Sequence, residues 1–143
     1  MSRVPQVPGG HADDNAVISE LEATIGSLVD NVVDGVPGVT GAVIASADGF
    51  VLGSRLAEAS TFDAAAIAAM SAATLALANR LIQIGGDPSA EICQFRSSNT
   101  QVWVFAVGAG AALTIVATAE ADGARIDLIG NEVSKGLAPH FAT

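Results

Sequence analysis

The sequence is poor in cysteine and in basic residues. Its single cysteine, Cys93, lies in an alternating apolar run, which excludes an internal disulfide and predicts a small buried side chain rather than a nucleophile. Only six of the 143 residues are lysine or arginine, against 15 that are aspartate or glutamate, and the six are spread along the chain. Because nucleic-acid binding needs concentrated positive charge, we expect no nucleic-acid partner.

Residues with catalytic or metal-binding chemistry are also scarce. The two histidines, His11 and His140, lie near opposite ends of the chain and are not held by rigid elements, so neither a general base nor a metal site is predicted. Gly85-Gly86 follows a predicted helix, and Gly108 and Gly110 join two predicted strands, so neither glycine pair is predicted to form a phosphate-binding loop. Asp122 is expected to cap the last helix, and Asp48 to bond the backbone of a turn. We therefore expect no enzymatic activity, no cofactor and no metal.

The N-terminal segment lacks periodicity and a long apolar run. Residues 1–12 include two prolines and two glycines and are predicted to form a disordered tail. A chain of this length is expected to build one core, so residues 13–143 are predicted to be a single domain. No signal-peptide pattern precedes Val17, and we therefore expect a cytoplasmic protein.

The rest of the sequence alternates between helical and extended apolar patterns. Apolar side chains recur every three or four residues between Ile18 and Val36, which predicts an amphipathic first helix. Its N-cap is predicted at Asp13 or Asp14, and a similar pattern predicts a closing helix over residues 126–137. Alternating and β-branched runs predict five strands, at residues 39–46, 50–54, 90–97, 101–108 and 111–118.

These elements follow the order α-β-β-α-β-β-β-α and predict an α+β fold. The turns are short, so the five strands are expected to form an antiparallel sheet, with two helices on one face and one long helix on the other. Residues 101–108 are apolar on both faces, which is typical of an interior strand. Residues 90–97 mix apolar, polar and charged side chains, which suits a sheet edge.

The long second helix, residues 62–84, carries no charge between Asp63 and Arg80. A helix packed on one side normally shows a charged opposite face, so the second face of this helix is expected to be covered. A bilayer is disfavoured by the alanine content and by Ser71 and Thr74, so no direct membrane insertion is expected. The favoured interpretation is a dimer or partner surface. The alternative is an alanine-rich helix that is simply tolerated in water.

The order of elements, together with the segment GVTGAVIASADGFVLGS from Gly38 to Ser54, resembles the Roadblock/LC7 family. In that family a first helix leads into a hairpin of this pattern, then a long alanine-rich helix, three strands and a last helix. The resemblance covers residues 14–138. It implies a homodimer or heterodimer without enzymatic activity, in which the second helices pack side by side and the third strands join edge to edge.

The resemblance also implies the partners. Bacterial members of the family act with a Ras-like small GTPase, and actinobacterial members accompany a sensor-kinase-like protein. The expected role is therefore an interaction module that regulates or scaffolds such a GTPase in a signalling complex, with the paired helices as its platform. The rival interpretation is a small-ligand sensory domain of the PAS or profilin type, for which Thr114, Thr118, Gln94 and Asn79 are the candidate linings.

The predicted dimer and partner surface combines the long helix with the edge strand. Its predicted residues are Ala65, Ile67, Ala69, Met70, Ser71, Ala72, Ala73, Thr74, Ala76, Arg80, Ile92, Gln94 and Arg96. Ile67, Met70, Ser71 and Thr74 are expected to form the outermost ridge, where a third protein would dock. Arg80 is interpreted either as a charge that offsets the negative end of the helix or as an arginine finger for a partner GTPase.

Overall fold

A computed structural model describes residues 8–57 and 62–142, with side chains described from residue 16 onward. The elements are α1 (Pro8–Gly35), β1 (Val39–Ser46), β2 (Val51–Leu56), α2 (Ala64–Ile84), β3 (Ile92–Arg96), β4 (Thr100–Val107), β5 (Ala111–Thr118) and α3 (Gly123–Leu137), followed by a 3₁₀ helix (Ala138–Phe141). The predicted order and the predicted α+β class are confirmed.

The five strands form one antiparallel sheet with the spatial order β2-β1-β5-β4-β3. β5 lies in the middle and β4 is interior, while β2 and β3 are the edges, as the mixed composition of β3 predicted. The β1–β2 turn requires Gly49, whose φ of 91° lies in the left-handed region that favours glycine. β1 and β5 pair near their centres through Ile44 and Leu113.

The helices lie on the sheet as predicted. α1 and α3 cover one face, and the main core forms between them and the sheet, with Val29 and Val32 of α1, Phe105 of β4, and Ile126 of α3 at most 1% exposed. α2 lies on the other face, where Ile67 and Ala68 pack with residues of β1 in a smaller cluster. One face of the sheet is therefore covered by two helices and the other face by one helix only.

The helix starts follow from local capping. The Asp63 carboxylate accepts a hydrogen bond from the Ala66 amide at 2.7 Å and begins α2. The Asp122 carboxylate accepts from the Ala124 amide at 3.0 Å and begins α3, so the predicted capping role of Asp122 is confirmed. Because an N-cap side chain satisfies amides that have no partner within the helix, each aspartate fixes where its helix starts.

Several boundaries differ from the sequence expectation by a few residues, and two of these differences have a physical reason. α1 begins at Pro8 rather than near residue 13, since proline suits the first helical turn, so residues 8–12 of the predicted disordered tail are helical. Residues 1–7 of that predicted tail lie outside the described residues. β2 continues to Leu56, beyond its predicted end, because Arg55 holds this stretch against α1 through Asp30 at 3.1 Å and Asp34 at 3.0 Å. These hydrogen-bonded carboxylates raise the pKa of Arg55.

Candidate protein-interaction surface

α2 buries very little of itself in the domain. Only Ile67, Ala68 and Ser71 of its 21 residues are buried, and they contact the sheet. Large apolar side chains on the same helix are exposed, with Leu77 at 60% and Ile84 at 83%. The helix is long and apolar enough to span a membrane by length and composition, yet it is attached to the sheet along one side. Its uncovered surface is therefore a candidate protein-binding surface.

The uncovered surface divides into two stripes by helical periodicity. We call the first the leucine flank, and it consists of Met70, Thr74, Leu77, Leu81 and Ile84. We call the second the alanine ridge, and it consists of Ala66, Ala69, Ala73, Ala76 and Arg80. All members of both stripes are exposed except Thr74, which is half-buried. The leucine flank runs along one side of the helix, and the alanine ridge points away from the sheet.

A groove of about 470 Å³, here called the apolar groove, lies beside the leucine flank. It is lined by Thr40, Gly41, Leu56, Phe62, Ile67, Met70, Ser71, Thr74, Phe95, Thr100, Val102, Val104, Thr114 and Val116. Its most buried hydroxyls are satisfied within the chain, because Ser71 Oγ donates to the Ile67 carbonyl at 2.7 Å and also hydrogen-bonds Thr114 Oγ1. The groove therefore favours an apolar occupant over a polar ligand.

The other side of α2 borders a second cleft of about 450 Å³, lined mostly by small residues that include Ala72 and Ala76. Asn79 also lines this cleft, and its Oδ1 accepts a hydrogen bond from the Ala90 amide at 2.7 Å, which anchors the chain as it enters β3. Of the other residues predicted to line a ligand pocket, Thr114 lies in the apolar groove, and neither Gln94 nor Thr118 lines the groove or the second cleft. The four candidates for a sensory pocket do not converge.

The free edge of the sheet beside the groove is β3. The Ser97 amide donates to the Thr100 carbonyl at 2.9 Å, and the Ala106 amide donates to the Glu91 carbonyl at 2.9 Å. Since antiparallel pairing alternates, the backbone groups of Ile92, Gln94 and Arg96 point away from β4. These are the three strand residues that the sequence predicted for the dimer surface, and no strand among the described residues pairs with their amides and carbonyls.

The side chains of β3 divide between the two faces of the sheet. Phe95 is 52% exposed and lines the apolar groove, on the same face as α2. Gln94 and Arg96 pair with Trp103 and Gln101 of β4 and share their face, on the side of α3. A partner that pairs with the β3 edge would therefore reach the backbone of Gln94 and Arg96 and the ring of Phe95.

The structure corrects the predicted outermost ridge of α2. Ile67 and Ser71 are 8% and 3% exposed and face the sheet beneath the groove. Met70 and Thr74 form the rim of the groove instead. Of the remaining predicted helix residues, Ala72 is half-buried beside the second cleft. The others are exposed, namely Ala65, Ala69, Ala73, Ala76 and Arg80.

Sequence reasoning missed the large apolar side chains of the leucine flank and two aromatic rings of the groove. Leu77, Leu81 and Ile84 repeat at helical spacing through the C-terminal half of α2, and this spacing could have identified them from the sequence. Phe62 and Phe95 line the groove, although neither lies inside α2. No sequence signal placed these two rings together, because their proximity depends on how α2 crosses the sheet.

Arg80 is exposed on the alanine ridge, and among the described residues no ion pair involves it. The last turn of α2 contains no basic residue, since Arg80 lies a full turn before Ile84. The helix dipole acts mainly within the last turn, so Arg80 is poorly placed to offset it. Its guanidinium is therefore available to a partner.

The described residues contain no group of three or more histidine, cysteine, aspartate or glutamate side chains that would hold a metal ion. Cys93 is half-buried on β3, and burial raises the pKa of its thiol. His140 lies exposed in the 3₁₀ helix, and the side chain of His11 is outside the described set. The best-defined feature of the domain is therefore the apolar surface of α2 and β3.

Comparison with known proteins agrees with this architecture. The sequence model of the Roadblock/LC7 domain matches residues 25–117. No curated protein matches the chain at a significant level. The crystal structure of a Roadblock/LC7 domain from Streptomyces avermitilis is 25% identical, covers 80% of this chain and 95% of its own, and superposes with a TM-score of 0.72.

Two further solved structures share the fold. MglB in a tetrameric arrangement is 18% identical, with 82% of this chain and 88% of that chain covered and a TM-score of 0.75. Profilin II from Acanthamoeba castellanii is 16% identical, with 81% and 98% covered and a TM-score of 0.56. The family match spans more than half of the sequence, from the buried part of α1 to the end of the central strand β5. This chain belongs to the Roadblock/LC7 family.

Proposed function

We propose that this protein is a homodimeric interaction module, without enzymatic activity, that binds a Ras-like small GTPase and regulates or scaffolds it in a cytoplasmic signalling complex. The observation that carries the proposal is the combination of an almost uncovered apolar helix, an apolar groove beside it, and an unpaired sheet edge at the same side of the domain. Membership of the family supports the proposal, because the resemblance implies dimers of this kind and GTPase partners.

The dimer would form by antiparallel pairing of two β3 edges. The outward amides and carbonyls of Ile92, Gln94 and Arg96 would bond to the same residues of a second copy, since a two-fold axis makes such an edge self-complementary. Pairing would join two five-stranded sheets into one and remove the exposed edge. The arrangement also brings α2 of each copy to the partner's side of the sheet.

The leucine flank supplies the apolar part of the interface. Residues 80–89, which include the end of α2, are all exposed, so this end of the helix is not buried against the sheet of its own chain. Leu77, Leu81 and Ile84 would enter the partner's apolar groove, where Phe95 and Val102 are available to receive them. Burying one large apolar side chain contributes about 1.5 to 3 kcal/mol, so these three leucine and isoleucine contacts outweigh the hydrogen bonds of the edge.

The alanine ridge would remain exposed in this dimer and would face the GTPase. Small side chains at Ala69, Ala73 and Ala76 allow close approach of another backbone, and Arg80 adds the single positive charge of the helix. An arginine at this position would contact phosphoryl charge or an acidic switch segment of the partner. Two copies of the ridge, related by the dimer axis, would form one continuous platform.

A small-ligand sensory function is the second candidate. The size of the apolar groove falls within the range of ligand pockets, and profilin shares the fold. The groove lacks convergent polar groups, however, because the Ser71 and Thr114 hydroxyls already bond to one another. A thermal-unfolding screen against metabolites and haem would support this alternative if one compound raised the melting temperature by several degrees.

The dimer is tested by size-exclusion chromatography with light scattering at micromolar concentration. We expect the mass of two chains, and the mass of one chain would overturn the dimer. GTPase binding is tested by pull-down of the small GTPases encoded beside this gene, each loaded with GDP or with a GTP analogue. We expect capture that depends on the nucleotide, and no capture of any of them would overturn the GTPase proposal.

The regulatory role is tested by measuring GTP hydrolysis and nucleotide exchange of the captured GTPase. Arg80→Ala is compared with Lys135→Ala, which removes an exposed positive charge from α3, outside the proposed interface. We expect Arg80→Ala alone to weaken binding or alter turnover. If both variants behave like the unmodified protein, the alanine ridge is not the GTPase platform.

A further inference from the structure

The N-terminal part of α1 carries an apolar stripe that no other described element covers. α1 has 28 residues and is therefore about 42 Å long at 1.5 Å per residue. Burial begins only at Leu21, which is half-buried, and Ile25, which is 2% exposed. All described side chains before Leu21 are exposed, including Val17 at 61% and Ile18 at 55%. We call the N-terminal stretch of α1 up to Leu21 the α1 arm.

The exposed residues continue the buried stripe of the same helix. At 100° per residue, Val17, Ile18 and Leu21 fall on the face that further along the helix carries Ile25 and Val32, both in the main core. Leu21 still packs against the main core, so the described stripe continues for about one turn beyond the part that the domain covers. The match to the family's sequence model begins at Ile25, four residues after the end of the α1 arm.

The charged side chains beside this stripe are all negative. Glu20 and Glu22 flank it on its two sides, and among the described residues no ion pair involves either carboxylate. The other two described acids of α1, Asp30 and Asp34, both pair with Arg55. The sequence of α1 contains no lysine or arginine at all.

We infer that the α1 arm is a docking site for a basic amphipathic helix of another protein. Val17, Ile18 and Leu21 would receive the apolar face of that helix, and Glu20 and Glu22 would pair with its lysines or arginines. A second copy of the chain is a poor occupant, because it would set unpaired carboxylates against one another. An anionic membrane surface is disfavoured for the same reason. The site is separate from α2 and β3 and goes beyond the proposed GTPase binding.

The probe is an 18-residue helical peptide with leucine at helical spacing and lysine at the other positions, and binding is measured by fluorescence anisotropy to the full chain. A matched peptide with glutamate in place of lysine is the control for charge. We expect the lysine peptide to bind at least tenfold more tightly than the glutamate peptide, and to weaken at 0.5 M salt. Equal binding of the two peptides would overturn the inference.

Matched variants locate the site. The double substitution Val17→Ser with Ile18→Ser is compared with Leu128→Ser, since Leu128 of α3 is 63% exposed and lies on another helix. The pair Glu20→Lys with Glu22→Lys is compared with Glu120→Lys and Glu132→Lys, which change the net charge equally. We expect about a tenfold loss of lysine-peptide affinity only for the changes in the α1 arm, and equal losses in the control variants would overturn the inference.

The competing occupants give distinct results. If the unmodified protein forms an assembly larger than a dimer and the Val17→Ser, Ile18→Ser variant reduces it to a dimer, a second copy covers the stripe and the inference fails. If the unmodified protein sediments with phosphatidylcholine vesicles and that variant does not, the stripe binds lipid and the inference also fails. Circular dichroism of each variant confirms that loss of binding does not reflect unfolding.

Discussion

The indole Nε1 of Trp103 donates a hydrogen bond to Oε1 of Gln101 at 2.9 Å, and both side chains lie in the interior beneath α3. Gln101 is fully buried, and its Nε2 donates to the carbonyls of Thr118 and Ala121 at 3.0 Å each. This amide therefore ties the start of β4 to the connection between β5 and α3. Trp103 in turn stacks on Phe105 with ring centroids 6.0 Å apart.

Replacing the buried amide is expected to cost stability. Gln101→Leu keeps most of the side-chain volume but leaves the Trp103 indole and two carbonyls without this partner, which we expect to lower the free energy of unfolding by about 2 to 4 kcal/mol. Urea unfolding followed by circular dichroism measures the change. Gln83→Leu is the control, because its Nε2 bonds the Pro88 carbonyl at the surface, and we expect an effect within about 0.5 kcal/mol. Equal effects would contradict the role of Gln101.

Two glycines of α3 give opposite predictions. A Cβ on Gly130 would lie 2.2 Å from the Phe105 ring, whereas a Cβ on Gly136 would meet nothing within 4 Å. We expect Gly130→Ala to destabilise the protein by about 1 to 3 kcal/mol through overpacking. Gly136→Ala is expected to stabilise it by up to about 1 kcal/mol, since alanine favours a helix. Thermal unfolding of both variants measures the difference, and a stabilised Gly130→Ala variant would contradict the close packing of α3.

A charge on the leucine flank is expected to break the proposed dimer. Leu81→Asp would place a carboxylate in the partner's apolar groove, where burial of an unpaired charge is costly, so light scattering should report one chain instead of two. The isolated domain should keep its circular dichroism spectrum, because Leu81 is 60% exposed in a single chain. Leu128→Asp changes an equally exposed leucine on α3 and should remain dimeric. Dimeric Leu81→Asp protein would exclude the leucine flank from the interface.

The edge strand is tested by proline. The Gln94 amide points away from β4, so Gln94→Pro removes a hydrogen-bond donor of the free edge without removing one from the β3–β4 ladder. We expect the dimer dissociation constant to rise at least tenfold, as measured by analytical ultracentrifugation. Gln94→Ala retains the amide and should leave the constant within about threefold of the original. If proline and alanine act alike, the dimer does not depend on edge pairing.

Much of the fold was predictable from local patterns. The apolar and β-branched composition of β1 and β5 and the period near 3.6 in α1 and α3 reflect which side chains must leave water, and these patterns predicted the elements and their layering. Strand β2 was predicted too short because its extension depends on Arg55, whose ionic partners Asp30 and Asp34 are distant in sequence. The capping role of Asp122 was predictable, since capping involves only neighbouring residues.

The candidate surface was predicted in part. The absence of charge between Asp63 and Arg80 identified α2 as the exposed apolar helix, and the mixed composition of residues 90–97 identified the edge strand. Which side of α2 faces its own sheet was not predictable from composition, because alanine-rich sequence has nearly the same hydrophobicity all round. For this reason Ile67 and Ser71 were placed on the outermost ridge, although both face the sheet.

The sequence by itself determined the order of elements, the cap at Asp122, the antiparallel sheet, and the unusual lack of charge on the second helix, because each of these follows from neighbouring side chains and their period. Tertiary structure alone decided the rotation of α2 about its axis, the apolar groove between Met70 and Phe95, and the length of α1 that projects beyond the sheet. These features depend on contacts between residues far apart in the chain, and no local pattern encodes the distance or angle at which two elements meet.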